Sequence, residues 1–315
     1  MKKLTLKHWA PTKFPNCKRR ILLAITEKGG VGKSFTCRVV SDWLKCHPIG
    51  LNVCGVDMDN FINEAGLKAV FEDDPKFVRV NWDDDVEKDK TLTRFLNDDS
   101  NDVLIVDGRA SMARQAIKNW MDDIDLLSVA NDIGLGVTFL FPFFDEIASM
   151  GDLDRTLDLY GDLADIVIIR NDAKLTNWDN WLDYPFGGKA EKTREKAARM
   201  GCREIVLPAF VGNVGKNINN LANIKGVPFS KIDENNIWEF NRIQKYLMRV
   251  SWFGLNPVEE LLIPDCKFSA KPEDMEHPWE VGRADGTVRT ALQTEIESMR
   301  LSPDMLRELK KIKLP

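Results

Sequence analysis

The residues Glu27-Lys28-Gly29-Gly30-Val31-Gly32-Lys33-Ser34 follow directly on the apolar run Ile21-Leu22-Leu23-Ala24-Ile25-Thr26. A strand that feeds a glycine-rich turn and then a Gly-Lys-Ser helix start is a setting in which backbone N–H groups converge on phosphate. Glycines at 29, 30 and 32 let that backbone turn and approach an anion with no Cβ in the way. Lys33 is of the type and position to meet β- and γ-phosphates, and the Ser34 hydroxyl to complete the shell of a Mg²⁺ ion. The loop is also a variant. Glu27 stands where the common pattern has glycine, and a second lysine, Lys28, comes directly after it.

Two further groups of carboxylates stand near the ends of apolar runs. Val56-Asp57-Met58-Asp59 puts acids at the exit of a second strand, where open α/β sheets bind their ligands. Asp59 is placed to orient a water for in-line attack, and Asp57 to steady the loop or the metal. Val103-Leu104-Ile105-Val106-Asp107-Gly108 is an apolar strand ending in Asp, the form in which a carboxylate holds Mg²⁺. Gly108 offers a backbone amide to a γ-phosphate. Plain turn acids are the bland alternative for Asp57 and Asp59.

The elements that must carry these groups are visible as apolar, β-branched runs at 21–26, 51–57, 77–80, 103–107, 137–141, 166–170 and 205–207. Most are separated by segments of helical spacing. Val39, Val40, Trp43 and Leu44 share a face after the glycine loop; Ile147, Met150, Leu153, Leu157 and Tyr160 form another stripe; Lys189 to Met200 reads as an exposed helix. Strands alternating with helices predict an α/β fold, a mostly parallel sheet covered on both faces. The run from Ile133 to Phe144 is too short to span a bilayer and is expected to be a buried strand.

Composition sets the frame. The chain has 315 residues, 43% hydrophobic and 30% charged, with a net charge of −5, which suits a large buried core and argues against an overall nucleic-acid coat. Six cysteines without a C-x-x-C pair, and only three histidines, point to free thiols in a reducing cytoplasm, not a zinc site or disulfide framework. Lysines at the start have no apolar signal core behind them. Residues 1–20 read as a basic, solvated arm, 21–252 as the nucleotide-binding domain, and 253–315 as a C-terminal extension, partly helical near 288–300 and 303–313. The acidic run Asp83-Asp84-Asp85-Val86-Glu87-Lys88-Asp89 reads as a solvated loop.

Lys28 to Ser34, Asp57-x-Asp59 and Asp107-Gly108 together resemble the deviant Walker A ATPases of the ParA/MinD type. The resemblance implies a Rossmann-like P-loop fold, bound ATP and Mg²⁺, slow ATP hydrolysis and an ATP-sandwich homodimer. It implies that Lys28 reaches the partner's nucleotide and that Asp59 orients the water. Asn63 matches the asparagine of the family's D-x-D-P-Q-G-N pattern. Ile168-Ile169-Arg170-Asn171 resembles the strand end with an adenine-reading asparagine, and Val206-Leu207-Pro208 the strand whose loop borders the base. Phe35 replaces the usual second hydroxyl, and Asn60-Phe61 replaces Pro-Gln. The second switch reads Gly108-Arg109-Ala110-Ser111, which is similar to the conjugation and plasmid-stability branch, the TraL-like proteins. A partner from a partition or transfer system is implied, with DNA admitted as a further one. The C-terminal stripe Met305, Leu306, Leu309 and Ile312 is expected to dock on its own domain in preference to a membrane. A metabolic phosphotransferase or ligase on the same fold, and an ATP-binding regulator without turnover, are the alternatives.

Overall fold

The computed structural model describes residues 11–58, 66–81, 84–108, 113–172, 181, 189–208, 228–229, 243, 245–272, 275 and 277–279. Asp59, Asn63, Arg109 to Ser111 and the helical stretches expected beyond 288 lie outside the described residues.

All seven apolar runs are strands: β1 (Arg19–Ala24), β2 (Val53–Asp57), β3 (Phe77–Arg79), β4 (Val103–Asp107), β5 (Leu135–Phe143), β6 (Asp165–Asn171) and β7 (Arg203–Leu207). They pair in parallel in the order β3-β2-β4-β1-β5-β6-β7. The helices are α1 (Lys33–Lys45), α2 (Leu67–Val70), α3 (Asp85–Asn97), α4 (Ala113–Asp123), α5 (Leu126–Val129), α6 (Ile147–Tyr160), α7 (Lys189–Arg199) and the short α8 (Asp265–Phe268). This is a Rossmann-like, fully parallel sheet with helices on both faces, as the alternation predicts.

Side chains alternate across each strand, so one sheet builds two cores. Leu22, Val53, Ile105, Leu140, Val167 and Ile205 face α1. Ile21, Val56, Leu104, Phe139 and Ile166 face the opposite layer with α3, α4 and α6. The α6 stripe is buried except for Ile147, which is 71% exposed because it opens the helix beyond the sheet edge. The helix expected to be exposed, α7, instead buries Ala190, Thr193 and Ala197.

Two more local expectations change. The acidic run, from Asp84 on, is a helix start: Asp84 accepts hydrogen bonds from the backbone N–H groups of Val86 and Glu87 and caps α3. Acids in that first turn also suit the positive end of the helix. The basic arm is not uniformly solvated. Arg20 is wholly buried, donating to Thr138, to Asp165 and to the Ile263 carbonyl. Lys13 holds the carbonyls of Ala164 and Met200. Leu255, Val258, Leu261 and Ile263, in the stretch read as a C-terminal extension, pack into the α1-side core.

The far end of α1 is clasped by that segment. The Trp43 indole N–H donates to Ser251 Oγ (3.1 Å), and His277 stacks on Trp43 with centroids 4.8 Å apart. The carbonyl of Trp43, left open at the helix end, accepts from His277 Nε2 (2.8 Å). Nδ1 of the same ring accepts from Trp279 N, so the neutral tautomer satisfies both nitrogens. Burial pulls the His277 pKa down to about 4. An unfolded chain takes up this proton near pH 6.5 and the native state does not. Stability therefore falls as pH drops from about 6.5 towards 4, by up to about 3 kcal/mol from this group. Urea melts at pH 7 and pH 4 check it: His277→Gln, which keeps a donor and an acceptor, is expected to flatten the difference.

Candidate phosphate-binding site

β1 and β4 are neighbours, and the chain leaves them in opposite directions, from β1 through α1 to β2 and from β4 through α4 and α5 to β5 on the far side of β1. The crevice at such a reversal, outside the carboxyl ends of the strands, is where open α/β sheets take ligands. The glycine loop begins there. Gly30 (φ 74°) and Gly32 (φ 98°) adopt left-handed backbone, and Gly32 is the residue from which α1 starts. No side chain caps that helix end and its first turn carries no acid. Its N–H groups and dipole therefore suit an anionic ligand.

Lys33 is buried, and its ammonium donates to the Lys28 carbonyl (3.0 Å) and to Thr26 Oγ1 (3.2 Å). Both acceptors belong to the loop, so the cation is stored inside the cradle it would serve. Lys28 takes a different partner: its ammonium forms an ion pair with Glu146 at the start of α6, both groups being partly exposed. The preceding residue is fixed by the same helix. Glu27 N donates to Asp152 (2.7 Å), and the Glu27 carboxylate accepts from Arg155 (2.7 Å). The expectation that Lys28 serves a second subunit thus starts from a lysine paired within its own chain.

Register brings the carboxylates together. Asp57 of β2 and Asp107 of β4 are directly paired and, by alternation, both project to the α1 side. Asp57 accepts from Lys68 N (3.2 Å), which fixes the start of α2, and lies 3.9 Å from the Arg79 guanidinium. The Ser34 side chain neighbours Asp107 and favours its charged form. Asp107 Oδ1 is buried with no hydrogen-bond partner. Burial first, then the Asp57 charge, pushes the Asp107 carboxyl up to about 7, against Ser34, Lys33 and Arg38, which pull it down. Among the described residues no group of three or more His, Cys, Asp or Glu side chains can hold a metal. Mg²⁺ is usually bound by one or two carboxylates together with water and substrate phosphates. An orphaned carboxylate oxygen beside a serine hydroxyl fits such an ion.

Two expected contacts are engaged otherwise. The Gly108 amide donates to the Ala24 carbonyl (3.2 Å), so it must leave β1 to reach a phosphate. Asn171, buried at the end of β6, donates its side-chain amide to the Val31 carbonyl (2.9 Å). It braces the loop, and a Cβ on Gly32 would overlap its amide nitrogen. Pro208 follows β7 in a buried position. Phe35 sets its ring edge-on to Phe229, 6.1 Å between centroids, under the Arg38 guanidinium at 5.9 Å. Thr36, the remaining hydroxyl near that point, is fully buried.

Sequence reasoning missed Arg38, Asp152, Arg155 and Glu146. Arg38 lies one turn beyond Ser34 on α1, is 3% exposed, and has its pKa lowered to about 10 by burial. The spacing of four from Ser34 is the one signal that could have placed it on the same face. Nothing local links residues 146–155 to the glycine loop.

No protein-family model matches the sequence, and no curated protein matches it. Among solved structures, the chain is similar to the cell-division protein MinD of Aquifex aeolicus, with 15% identity over 82% of this chain and 99% of that one, TM-score 0.43. It is similar to the same organism's MinC:MinD complex, with 16% identity, 71% and 93% coverage, and a TM-score of 0.41. An ATP complex of McdA from Cyanothece gives 13% identity, 73% and 97% coverage, and a TM-score of 0.40. These likenesses are distant.

Proposed function

We propose that this protein is a slow, Mg²⁺-dependent ATPase that works as a nucleotide-driven dimerisation switch, its output being the binding of a partner in partition, transfer or positioning of DNA or another cargo. The observation that carries the reading is the grouping of Lys33, Ser34 and Asp107 beneath the glycine loop, with Lys28 at its rim. ATP phosphates would lie on the loop amides and the start of α1, drawing Lys33 from Lys28 O and Thr26 onto the phosphates. Ser34 and Asp107 would hold the divalent cation, with Asp57 beside them, and the cation when bound neutralises phosphate charge. Asp59 would orient the attacking water. Hydrolysis needs positioning more than a strong base, which fits a site without a nearby histidine among the described residues.

The lysine pair separates this reading from an ordinary P-loop enzyme. Lys28 must exchange its Glu146 carboxylate for a nucleotide phosphate on a second copy. That exchange ties dimer formation to ATP. Size-exclusion chromatography with light scattering, run in ADP and in a non-hydrolysable ATP analogue, is expected to show monomer in the first and dimer in the second. Lys28→Ala is expected to stay monomeric in both while still binding nucleotide. A dimer indifferent to nucleotide, or intact in the variant, overturns the switch. ADP release that depends on an added small molecule would favour a phosphotransferase.

A further inference from the structure

The six cysteines are all free, yet the fold brings two of them, remote in sequence, into backbone contact. Cys266 N donates to the Cys17 carbonyl (3.3 Å). That bond alone holds the two Cα atoms within about 7 Å of each other, close to the span of ordinary disulfides. Each sulfur lies against the residue flanking the other cysteine. Cys17 Sγ accepts from Asp265 N (3.3 Å), and Cys266 Sγ lies 3.8 Å from the Lys18 carbonyl. The surroundings are fixed: Asn16 N donates to Asp265, and Arg20 donates to the Ile263 carbonyl and to Cys17 Sγ. Thr138 of β5 donates to the Leu261 carbonyl. The two thiols differ in access, Cys17 being 2% exposed and Cys266 exposed.

From this juxtaposition we infer that Cys17 and Cys266 form a reversible oxidative staple, closed by a hydroperoxide and opened by a thiol. The exposed Cys266 sulfur attacks a peroxide oxygen. The S–O bond forms, the O–O bond breaks, and the departing alkoxide or hydroxide takes up the thiol proton. The Cys17 sulfur then attacks the Cys266 sulfur, forming S–S and breaking S–O. The leaving hydroxide takes the Cys17 proton and departs as water. Two thiols lose two electrons in all and the peroxide gains them. Burial and the neighbouring Cys17 hold the Cys266 thiol above its usual range, so closure is slow and calls for sustained oxidant. A closed staple locks the segment before β1 to the segment that clasps α1, across a loop long enough for a large effect on the unfolded chain.

The test uses the full chain. Hydrogen peroxide is applied, remaining thiols are alkylated in denaturant, and peptides are mapped by mass. The expected product joins the peptides carrying residues 17 and 266, is reversed by dithiothreitol, and raises Tm by about 5 °C or more. Cys266→Ser, a surface change, is expected to leave the reduced Tm within about 1 °C and to abolish both the linked peptide and the oxidative rise. Cys17 recovered fully alkylated after oxidation, or either cysteine joined instead to Cys46, Cys54, Cys202 or a second chain, overturns the inference. So does an oxidative Tm rise that persists in Cys266→Ser.

Discussion

Gly32→Ala is expected to raise the Kd for ATP at least about 100-fold, equivalent to roughly 2.7 kcal/mol. Two independent penalties meet at this position. Left-handed backbone (φ 98°) costs a residue with a Cβ about 1–2 kcal/mol. The new methyl also overlaps the Asn171 amide, which now braces the Val31 carbonyl. Expelling that amide forfeits a buried hydrogen bond, on the order of 1–3 kcal/mol, and frees the loop that must wrap phosphate. Calorimetric titration of wild type, Gly32→Ala, Asn171→Ala and the double variant separates the two. Asn171→Ala alone is expected to weaken binding about tenfold, because the loop loses its brace but keeps its shape. The double variant relieves the overlap only, so it is expected to remain weaker than Asn171→Ala. Near-native affinity for Gly32→Ala would mean that phosphate does not bind on this loop.

Asp107→Asn is expected to separate stability from activity. In the nucleotide-free protein the carboxylate is a liability: it is buried, paired in register with Asp57, and leaves Oδ1 without a partner. A neutral amide removes the charge repulsion and lessens the desolvation penalty, so the apo variant is expected to gain about 1–2 kcal/mol and melt a few degrees higher. ATP turnover at saturating Mg²⁺ is expected to fall at least about 100-fold, because the cation loses its charged protein oxygen. Scanning calorimetry and a coupled ADP assay on the same preparation test both halves. A variant that hydrolyses normally would remove Asp107 from the metal role, and one that is less stable would mean that the carboxylate serves the fold.

The strands were legible because each is buried on both faces and reads as a continuous apolar run between turn residues. The places of the glycine loop between β1 and α1, and of Asp107 at the end of β4, were legible for a related reason: a few consecutive residues set them. What escaped depends on distant partners. Arg20 looked like part of a basic arm until Asp165, at the start of β6, came within 3.0 Å of it. Lys28 was readable as an extra cation, but not its pairing with Glu146. The contact of Asn171 with the Val31 carbonyl was not readable, because a strand end shows where a side chain sits and not what it touches. Asp84 was misread for want of weight on the acid-then-helix pattern, since a cap and a solvated loop share a composition.

The clasp on α1 has a consequence in time. A chain emerging from the ribosome completes α1 early, yet Val250, Leu255, Val258, Leu261 and Trp279, which complete the core on its side of the sheet, are made more than two hundred residues later. At about 5–20 residues per second, Trp43 and its neighbours wait roughly 10–50 s for those later residues. During this interval the nascent chain presents a sticky helix and an unfinished sheet, the state in which aggregation and chaperone capture compete with folding. Messages truncated before the last fifth of the protein should therefore yield insoluble product even though the whole glycine loop has been translated.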